Sequence, residues 1–353
     1  MCFTSQRYIA EGIQNSGVQV TFLNPDNSEK HSSFSWHHVS VSRSNVPGLQ
    51  ASSLAKNMCY WLDKQNLSNS CVAVIDWRLA RRLVPICERK KIKWILLDRS
   101  PPADTGLLAK LQWPFWRKAW KLVTKSSGAL GSVVSEKHLD FVKERISIDS
   151  SKIIILSAGV DLKTFTISDK PSILTLVYHG RLDRHRGVLS LPMLVTKARS
   201  EGLELRLKLI GNGDCFEHLL RISENDASIE VYPRMSQKEI SKHLRDSTIG
   251  LLPMPNTGVW GISSPLKRSE YCASGLPIFG IDHQGHRFGG DENYSWMKLV
   301  PQHDFHEEAI NWLKSLDSNA IEKLSQEARV YAENHLSWDV VIDKMIQSIK
   351  SFK

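Results

Sequence analysis

The sequence predicts an α/β protein made of two domains with parallel sheets. The chain has 353 residues, which is more than one typical domain contains. In both halves, short apolar runs typical of buried strands alternate with segments whose apolar residues recur at helical spacing. Such alternation is typical of parallel sheets, in which helices join the strands. Ligands of these sheets bind beyond the carboxyl ends of the strands, so residues at those ends are the first site candidates.

The first half begins in an order that is unusual for such a domain. Apolar residues at helical spacing run up to Ser16, and residues 18–23 alternate like a strand, whereas residues 24–48 are polar and irregular. A parallel α/β domain normally opens with a strand and a turn, so we expect either a missing start or a reduced first domain. The further elements expected are helices at 49–62, 78–90, 107–125 and 138–145 and strands at 71–75, 93–97, 130–135 and 153–156.

Two polar residues, Asp98 and Arg99, come directly after the strand predicted at 93–97. Their position at the carboxyl end of a parallel strand makes both of them candidates for a ligand site.

The second half repeats the alternation after a hinge predicted at residues 169–172. The strands expected there are 174–178, 205–210, 229–232, 249–253 and 278–281, and the helices are 188–200, 237–245, 305–316, 318–334 and 337–350. Each strand of this series ends in polar or glycine-rich sequence, so we expect a ligand site in this half as well.

Two glycine-rich turns follow the first two of these strands. In the first turn, Arg181 and Arg186 lie five residues apart after Gly180, and two such guanidinium groups can converge on one phosphate. In the second turn, Gly211 and Gly213 permit close approach of the backbone. The alternative for the first turn is a basic surface loop, and a lone Gly-x-Gly is weak evidence of a site.

The stretch from Ser264 to Pro277 reads as a polar turn, a short helix and a stop. Ser264 is suited to cap the helix and Pro265 to its first position. The amides at the helix start, around Leu266 and beside Lys267 and Arg268, are suited to an anion, and Glu270 is placed to accept from a sugar hydroxyl. The alternative is a capped helix whose charged face is only solvated.

The segment 107–125 carries aromatic and basic residues at helical spacing. The residues of this pattern are Trp113, Trp116 and Trp120, with Arg117 and Lys121 in an adjacent basic stripe. Tryptophan favours the headgroup boundary of a bilayer and cations favour anionic lipid, so the pattern predicts a helix lying on a membrane surface. The alternative is that the tryptophans pack on the sheet and the basic stripe faces solvent.

Composition limits the classes of partner. The net charge of +9 favours phosphate-bearing ligands, an anionic membrane or nucleic acid. No nucleic-acid-binding module is recognisable, so we expect no nucleic acid partner. The six cysteines lack the paired short spacing of zinc or redox sites, which favours reduced thiols and the cytoplasm. No signal-peptide pattern and no long apolar run occur, so membrane association would be peripheral, at the inner face.

The order of the motifs is more specific than any one of them. The stretch 157–161 with Phe165, the turn 180–187, the turn 209–213, the segment 264–277 and the pair Ser337-Trp338 together resemble glycosyltransferase family 4. The resemblance implies the GT-B fold, two facing Rossmann-like domains with a cleft between them. It implies an acceptor-side domain at 1–166, a donor-binding domain at 172–336 and a terminal helix at 337–353 that returns to the first domain.

The same resemblance implies a function. The chain would transfer a sugar, a hexosyl or related group, from a UDP- or GDP-sugar to a glycan or polyprenyl-linked acceptor, with retention of configuration and without a metal. It implies that Arg181 and Arg186 hold the donor diphosphate and act in catalysis together with Glu270, which also binds the ribose. The remaining donor-binding residues would be Gly180, Gly211, Gly213, Ser264, Pro265, Leu266 and Lys267. On the acceptor side, Asp98 and Arg99 stand near the place of a family histidine.

One departure from the family bears on activity. The family has a glutamate eight residues before Glu270, where this chain has Ile262, so a carboxylate that touches the transferred sugar is missing. Two alternatives therefore accompany the transferase. One is a non-catalytic relative that binds nucleotide or a partner glycosyltransferase, and the other is a GT-B epimerase acting on nucleotide sugars.

Overall fold

A computed structural model describes residues 3–26, 34–67, 70–102, 110–257, 261–262, 264–289 and 293–351. The chain forms two compact units. Unit 1 comprises residues 1–157 together with 341–353, and unit 2 comprises residues 158–340. Both units are parallel α/β structures, as the alternation of strands and helices predicts.

Unit 1 is built on a parallel sheet in the sequential order β3-β4-β5-β6, beside a separate parallel pair β1-β2. The strands are β1 (Thr21–Asn24), β2 (His37–Ser40), β3 (Val72–Asp76), β4 (Lys93–Leu97), β5 (Ala129–Val133) and β6 (Ile153–Ile155). The helices are α1 (Phe3–Asn15), α2 (Gln50–Lys64), α3 (Trp77–Arg89), α4 (Trp113–Lys125) and α5 (Glu136–Lys143). Residues 107–109 of the predicted helix lie outside the described ranges.

Local caps begin two of these helices. The carboxylate of Asp76 accepts a hydrogen bond of 2.9 Å from the Arg78 amide at the start of α3. The Ser135 hydroxyl accepts one of 3.1 Å from the His138 amide at the start of α5. Each cap satisfies an amide that has no partner inside the helix, so the strand-to-helix turns after β3 and β5 are held firmly.

Unit 2 contains a six-stranded parallel sheet in the order β12-β11-β10-β7-β8-β9. Its strands are β7 (Thr175–His179), β8 (Arg206–Ile210), β9 (Ile229–Tyr232), β10 (Ile249–Leu252), β11 (Ile278–Ile281) and β12 (Met297–Val300). Its helices are α6 (Ser190–Ser200), α7 (Phe216–Asn225), α8 (Gln237–Arg245), α9 (Leu266–Ala273), α10 (Phe305–Lys314) and α11 (Ser318–Tyr331), and α12 (Trp338–Lys350) begins here and continues into unit 1.

The strand order of unit 2 places a ligand site. The chain builds β7, β8 and β9 in one direction and then returns to add β10, β11 and β12 on the other side of β7. The order therefore reverses between β7 and β10, and ligands of open parallel sheets bind at such a switch point, outside the carboxyl ends of the strands. The turns after β7 and β10 are the expected walls of that site.

Three elements were not expected from the sequence. Strand β2 lies in the stretch read as irregular, and α7 and β12 lie in stretches without a clear pattern. β2 and β12 have four residues each, too few for a period to show, and β2 carries polar residues.

In the part of the chain that is described, no helix has the length and apolar character that crossing a membrane requires.

Candidate functional site

The turns after β7 and β8 interlock through their backbones. The Gly180 amide donates to the Ile210 carbonyl at 2.8 Å, and the Leu182 amide donates to the Asn212 carbonyl at 3.0 Å. Gly211 has φ +148°, and a Cβ on it would lie 1.7 Å from the Gly180 carbonyl oxygen. Only glycine permits this approach, so Gly180 and Gly211 set the shape of the site at the carboxyl ends of both strands.

The two arginines predicted to bind phosphate share one buried carboxylate. Arg181 donates two hydrogen bonds of 3.0 Å to the two oxygens of Asp183. Arg186 Nε lies 3.6 Å from Asp183 Oδ2. The Arg181 side chain is 64% exposed and the Asp183 side chain only 7%. The structure therefore brings both guanidinium groups together. Arg181, the more exposed of the two, is held in a fixed orientation by its two hydrogen bonds to Asp183.

Asp183 is a site residue to which the sequence reasoning assigned no role. Burial by itself would raise its pKa, but hydrogen bonds from Arg181 and the Asp214 amide and the nearby guanidinium charges hold the pKa below its usual value. The carboxylate is therefore ionised at neutral pH and orients both cations. An acidic residue between two predicted phosphate-binding arginines was the signal that could have identified it.

Helix α9 begins one residue later than expected. Pro265 is its N-cap residue, with ψ 127°, and Leu266 is its first residue. The prediction that the Ser264 hydroxyl caps this helix is wrong, because that oxygen faces the Ala158 amide at 3.4 Å and accepts from Arg268 Nη2 at 3.2 Å. Ser264 thus joins the helix start to the chain that enters unit 2.

Arg268, which the sequence placed beside Lys267 at the anion-suited helix start, is buried and bonds to groups of the protein. Its side chain is buried, lies 3.9 Å over the Phe288 ring, and donates to the Gly285 carbonyl at 3.3 Å and to the Arg287 carbonyl. It therefore holds the segment after β11 against the start of α9, and its charge is already used in these bonds.

Lys267 is the cation of α9 that reaches the turn after β7. Its Nζ lies 3.8 Å from the centre of the Tyr178 ring, and a Cβ on Gly180 would come within 3.0 Å of the same nitrogen. Burial, with the charge of Arg186 as a second cause, lowers the pKa of Lys267 to about 7. The structure therefore places the ammonium group of Lys267 beside the paired arginines, where a bound anion would favour its charged form.

Glu270 lies one turn further along the helix and is almost enclosed. Its Oε2 is 3.2 Å from His179 Nε2, and Gln237 Nε2 donates to its Oε1 at 3.2 Å. Burial raises the pKa of Glu270 to about 7, and burial together with the charge of Lys267 lowers the pKa of His179 to about 3. The imidazole is therefore neutral, and the contact of Glu270 with a ribose stays a prediction.

Replacing the buried amine of Lys267 tests its charge state. We expect Lys267→Met to raise the melting temperature relative to wild type, because a buried ammonium destabilises the folded chain. The difference grows as pH falls from 10.5, the ordinary pKa of the amine, to about 7, its value in the folded protein, and is constant below that. Thermal melts across this pH range measure it. The exposed Lys238→Met is the control, and a pH-independent difference contradicts the assignment.

Asp98 is not accessible to an acceptor, so this part of the sequence prediction is wrong. The side chain is fully buried. Its Oδ2 accepts from Trp116 Nε1 at 2.6 Å and from Trp120 Nε1 at 2.9 Å, and lies 3.3 Å from His138 Nε2. Desolvation opposes ionisation, but the charge and hydrogen bond of His138 and the two indole donors hold the pKa of Asp98 below its usual value. Asp98 is an internal anchor of unit 1.

Arg99, the other acceptor-side candidate, donates to the Leu156 carbonyl at 2.6 Å and is half-buried. This bond connects the turn after β4 to the chain just beyond β6. A role of Arg99 in acceptor binding stays a prediction.

The tryptophans of α4 do not face a lipid surface, which corrects the membrane prediction. Trp116 and Trp120 are fully buried in the core of unit 1 and bond to Asp98. Trp113 is half-buried, with its ring 5.6 Å from that of Trp116. Arg117 and Lys121 are exposed, as the basic stripe predicts. The helical spacing was read correctly, but the aromatic stripe packs on the sheet.

Solved structures provide the comparison with known proteins. No protein-family model matches this sequence, and no curated protein matches it either. Sucrose-phosphate synthase from Thermosynechococcus elongatus is similar over 98% of this chain and 92% of that chain, with 14% identity and a TM-score of 0.76. WaaG, a glycosyltransferase involved in lipopolysaccharide biosynthesis, is similar over 99% and 95%, with 12% identity and a TM-score of 0.67.

HepE from Anabaena, solved in complex with UDP, is similar over 98% of this chain and 96% of that chain, with 10% identity and a TM-score of 0.68. At these identities the likeness concerns the fold. It confirms the α/β class predicted from the sequence, with two Rossmann-like parallel-sheet domains of the GT-B kind. The comparisons do not favour the non-catalytic relative or the epimerase.

Proposed function

We propose that this chain is a glycosyltransferase that takes a UDP- or GDP-sugar as its donor and binds it in unit 2. The observation that carries the proposal is the pair Arg181 and Arg186 on the shared carboxylate of Asp183, at the point where the strand order reverses. Three cations, with Lys267 as the third, are grouped at the carboxyl ends of the strands. Such a group fits a diphosphate, because arginine pairs with phosphate oxygens bidentately.

The proposed chemistry assigns these residues to the leaving group. The bond between the anomeric carbon and the diphosphate oxygen breaks as an acceptor hydroxyl oxygen bonds to that carbon from the same face. The hydroxyl proton passes to the departing diphosphate. Arg181 and Arg186 stabilise the negative charge that develops on the diphosphate, and Asp183 keeps both guanidinium groups in place before the donor binds. Retention of configuration and transfer of a hexosyl group are parts of this proposal.

The acceptor is proposed to be a glycan or a polyprenyl-linked sugar, bound on unit 1. The buried Ile262 stands where the resembled family has a carboxylate, so sugar recognition must use other groups of this chain. A non-catalytic protein would bind the nucleotide without turnover, and an epimerase would isomerise the nucleotide sugar without an acceptor.

The test is donor turnover. The full chain is incubated with UDP-glucose, UDP-N-acetylglucosamine, GDP-mannose and related donors, with and without lipid-linked and free glycan acceptors, and products are detected by mass spectrometry. We expect release of UDP or GDP from at least one donor and a stereochemically retained product. Nucleotide binding without turnover supports the non-catalytic alternative, free epimerised donor supports the epimerase, and absence of binding and turnover contradicts all three.

We further propose that unit 1 contacts an anionic membrane at the inner face, through a surface that differs from the one first predicted. Leu111 is 57% and Phe115 41% exposed, and Pro114 lies exposed between them. Helices α3 and α4 also carry exposed cations, and Arg81 lies 5.5 Å from the centre of the Phe115 ring. The exposed cations of these helices are Arg81, Arg82, Arg117, Lys118, Lys121 and Lys125, together with Arg89, which is paired with Asp63 of α2. Exposed apolar side chains on helices that also carry exposed cations fit a surface of anionic lipid.

Vesicle binding tests this surface. We expect the full chain to bind vesicles that contain phosphatidylglycerol and to leave phosphatidylcholine vesicles in solution. Lys121→Gln is expected to lower the partition coefficient about fivefold, because one cation near an anionic surface contributes about 1 kcal/mol. Phe115→Ser weakens binding at constant charge, whereas Met193→Ser, at a residue 62% exposed in unit 2, leaves it unchanged. Equal binding to both vesicle types contradicts the proposal.

A further inference from the structure

Two buried histidines, His283 and His286, lie in the turn that follows β11. The side chains are 4% and 0% exposed, and the ring centres are 3.7 Å apart. Neither residue has a part in the chemistry assigned above. Buried polar nitrogens are normally hydrogen-bonded, so the bonding of each ring nitrogen requires an explanation.

Backbone carbonyls determine which nitrogen of each ring carries the proton. His283 Nε2 lies 3.1 Å from the Met254 carbonyl oxygen, and His286 Nδ1 lies 2.7 Å from the Ile281 carbonyl oxygen. A carbonyl oxygen only accepts hydrogen bonds, so these two nitrogens are donors. Burial lowers the pKa of both imidazoles, which are therefore neutral. In each neutral ring the second nitrogen is then an acceptor with a lone pair.

These two acceptor nitrogens, His283 Nδ1 and His286 Nε2, are buried and have no hydrogen-bond partner within the described part of the chain. A buried acceptor without a donor costs free energy. The pair thus has two acceptor nitrogens that are not hydrogen-bonded. It has no N–H left to donate, because both ring N–H groups already donate to backbone carbonyls. The complementary ligand group is a neutral hydroxyl or N–H donor.

Direct contacts connect this pair to the proposed diphosphate site. Met254, whose carbonyl accepts from His283, comes just after β10, and its Sδ lies 4.0 Å from Arg186 Nη1. On the other side, Arg268 connects the Gly285 carbonyl to the Ser264 hydroxyl at the start of α9. The histidine turn therefore borders the switch point next to the arginine pair. In a nucleotide sugar, the sugar is bonded directly to the diphosphate.

We propose that His283 Nδ1 and His286 Nε2 accept hydrogen bonds from hydroxyl groups of the donor's sugar. This inference rests on the proposed function, and it supplies acceptors for the sugar where Ile262 supplies none. The side chains that cover the nitrogens must shift to admit the hydroxyls, and the new hydrogen bonds offset that cost. Two lone pairs repel a carboxylate, so the site selects neutral hydroxylated sugars over uronic acids.

Two substitutions remove the acceptor nitrogens and keep the carbonyl bonds. His283→Gln retains a donor near the position of Nε2 for the Met254 carbonyl, and His286→Asn retains one near Nδ1 for the Ile281 carbonyl. Calorimetry on the full chain measures the dissociation constants of UDP, GDP, UDP-glucose, GDP-mannose and UDP-glucuronate. The readout is the ratio of the constant for a nucleotide sugar to that for its free nucleotide. His218→Gln, at an exposed position on α7, is the control.

We expect each variant to bind the free nucleotide as wild type does and to raise the ratio for its neutral nucleotide sugar roughly 2- to 10-fold, the effect of one lost hydrogen bond. Wild type should bind UDP-glucuronate more weakly than UDP-glucose. If both variants bind free nucleotide normally and their ratios equal that of wild type, the two nitrogens do not contact the sugar. That result overturns this inference and leaves the proposed function standing. Failure of wild type to bind any nucleotide overturns the proposed function and this inference with it.

Discussion

Arg186→Ala is expected to lower the rate of sugar transfer by about 10²- to 10³-fold, the range measured when one preorganised donor to a developing negative charge is removed. Arg186 is half-buried between Asp183 and Met254, so its guanidinium group is oriented before the donor arrives. The negative charge on the leaving diphosphate oxygen is larger in the transition state than in the bound donor. The loss should therefore appear mainly in kcat, with a smaller rise in KM for the nucleotide sugar.

The control for this substitution is Arg184→Ala. Arg184 belongs to the same turn, has an exposed side chain, and contributes to the turn through its amide, which donates to Asp214 at 2.8 Å. Arg184→Ala removes the same formal charge as Arg186→Ala, so a general electrostatic effect would lower the transfer rate of both variants alike. The rate of sugar transfer by Arg186→Ala and by Arg184→Ala is measured with the donor that the turnover test identifies. Equal rates for Arg186→Ala and wild type contradict the assignment of the leaving-group site.

Asp98→Ala is expected to destabilise unit 1 by about 3–5 kcal/mol, because several buried donors lose their acceptor at a cost of about 1–3 kcal/mol each. Two indole donors and His138 lose their common acceptor, and no solvent reaches them. Because the pKa of Asp98 is lowered, the carboxylate contributes its stability fully above its ordinary pKa of 3.8 and loses it as pH falls through the folded value. At neutral pH the whole effect is present.

Urea unfolding followed by tryptophan fluorescence measures this effect, since Trp116 and Trp120 lie in the same cluster. Asp140→Ala, which removes an exposed carboxylate from α5, is expected to change the midpoint little. A midpoint for Asp98→Ala equal to that of wild type would mean that the cluster does not hold unit 1 together. Loss of donor binding in unit 2 is not expected.

The two arginines and the three tryptophans show what the sequence can and cannot predict about a side chain. It predicts which side chains lie together, and it does not predict what they contact. The spacing of Arg181 and Arg186 after a strand predicts that their guanidinium groups converge, because the strand end and the turn determine the positions of both residues locally. The spacing of the tryptophans also determines a shared helix face. It does not determine whether that face meets lipid or a buried carboxylate, because Asp98 lies outside the helix, in the turn after β4.

The sequence alone determined the α/β class, the alternation of strands and helices, and the basic groups at the strand ends of unit 2, because these depend on local periods and turn residues. Only the tertiary structure decided that Asp183 unites the two arginines, that Asp98 and its tryptophans are internal, and that the histidine pair has two unused acceptor nitrogens. Such facts depend on how deeply each side chain is buried and on which hydrogen-bond partners surround it, because these determine its charge state and its access to a ligand, and a local pattern of residue types does not reveal them.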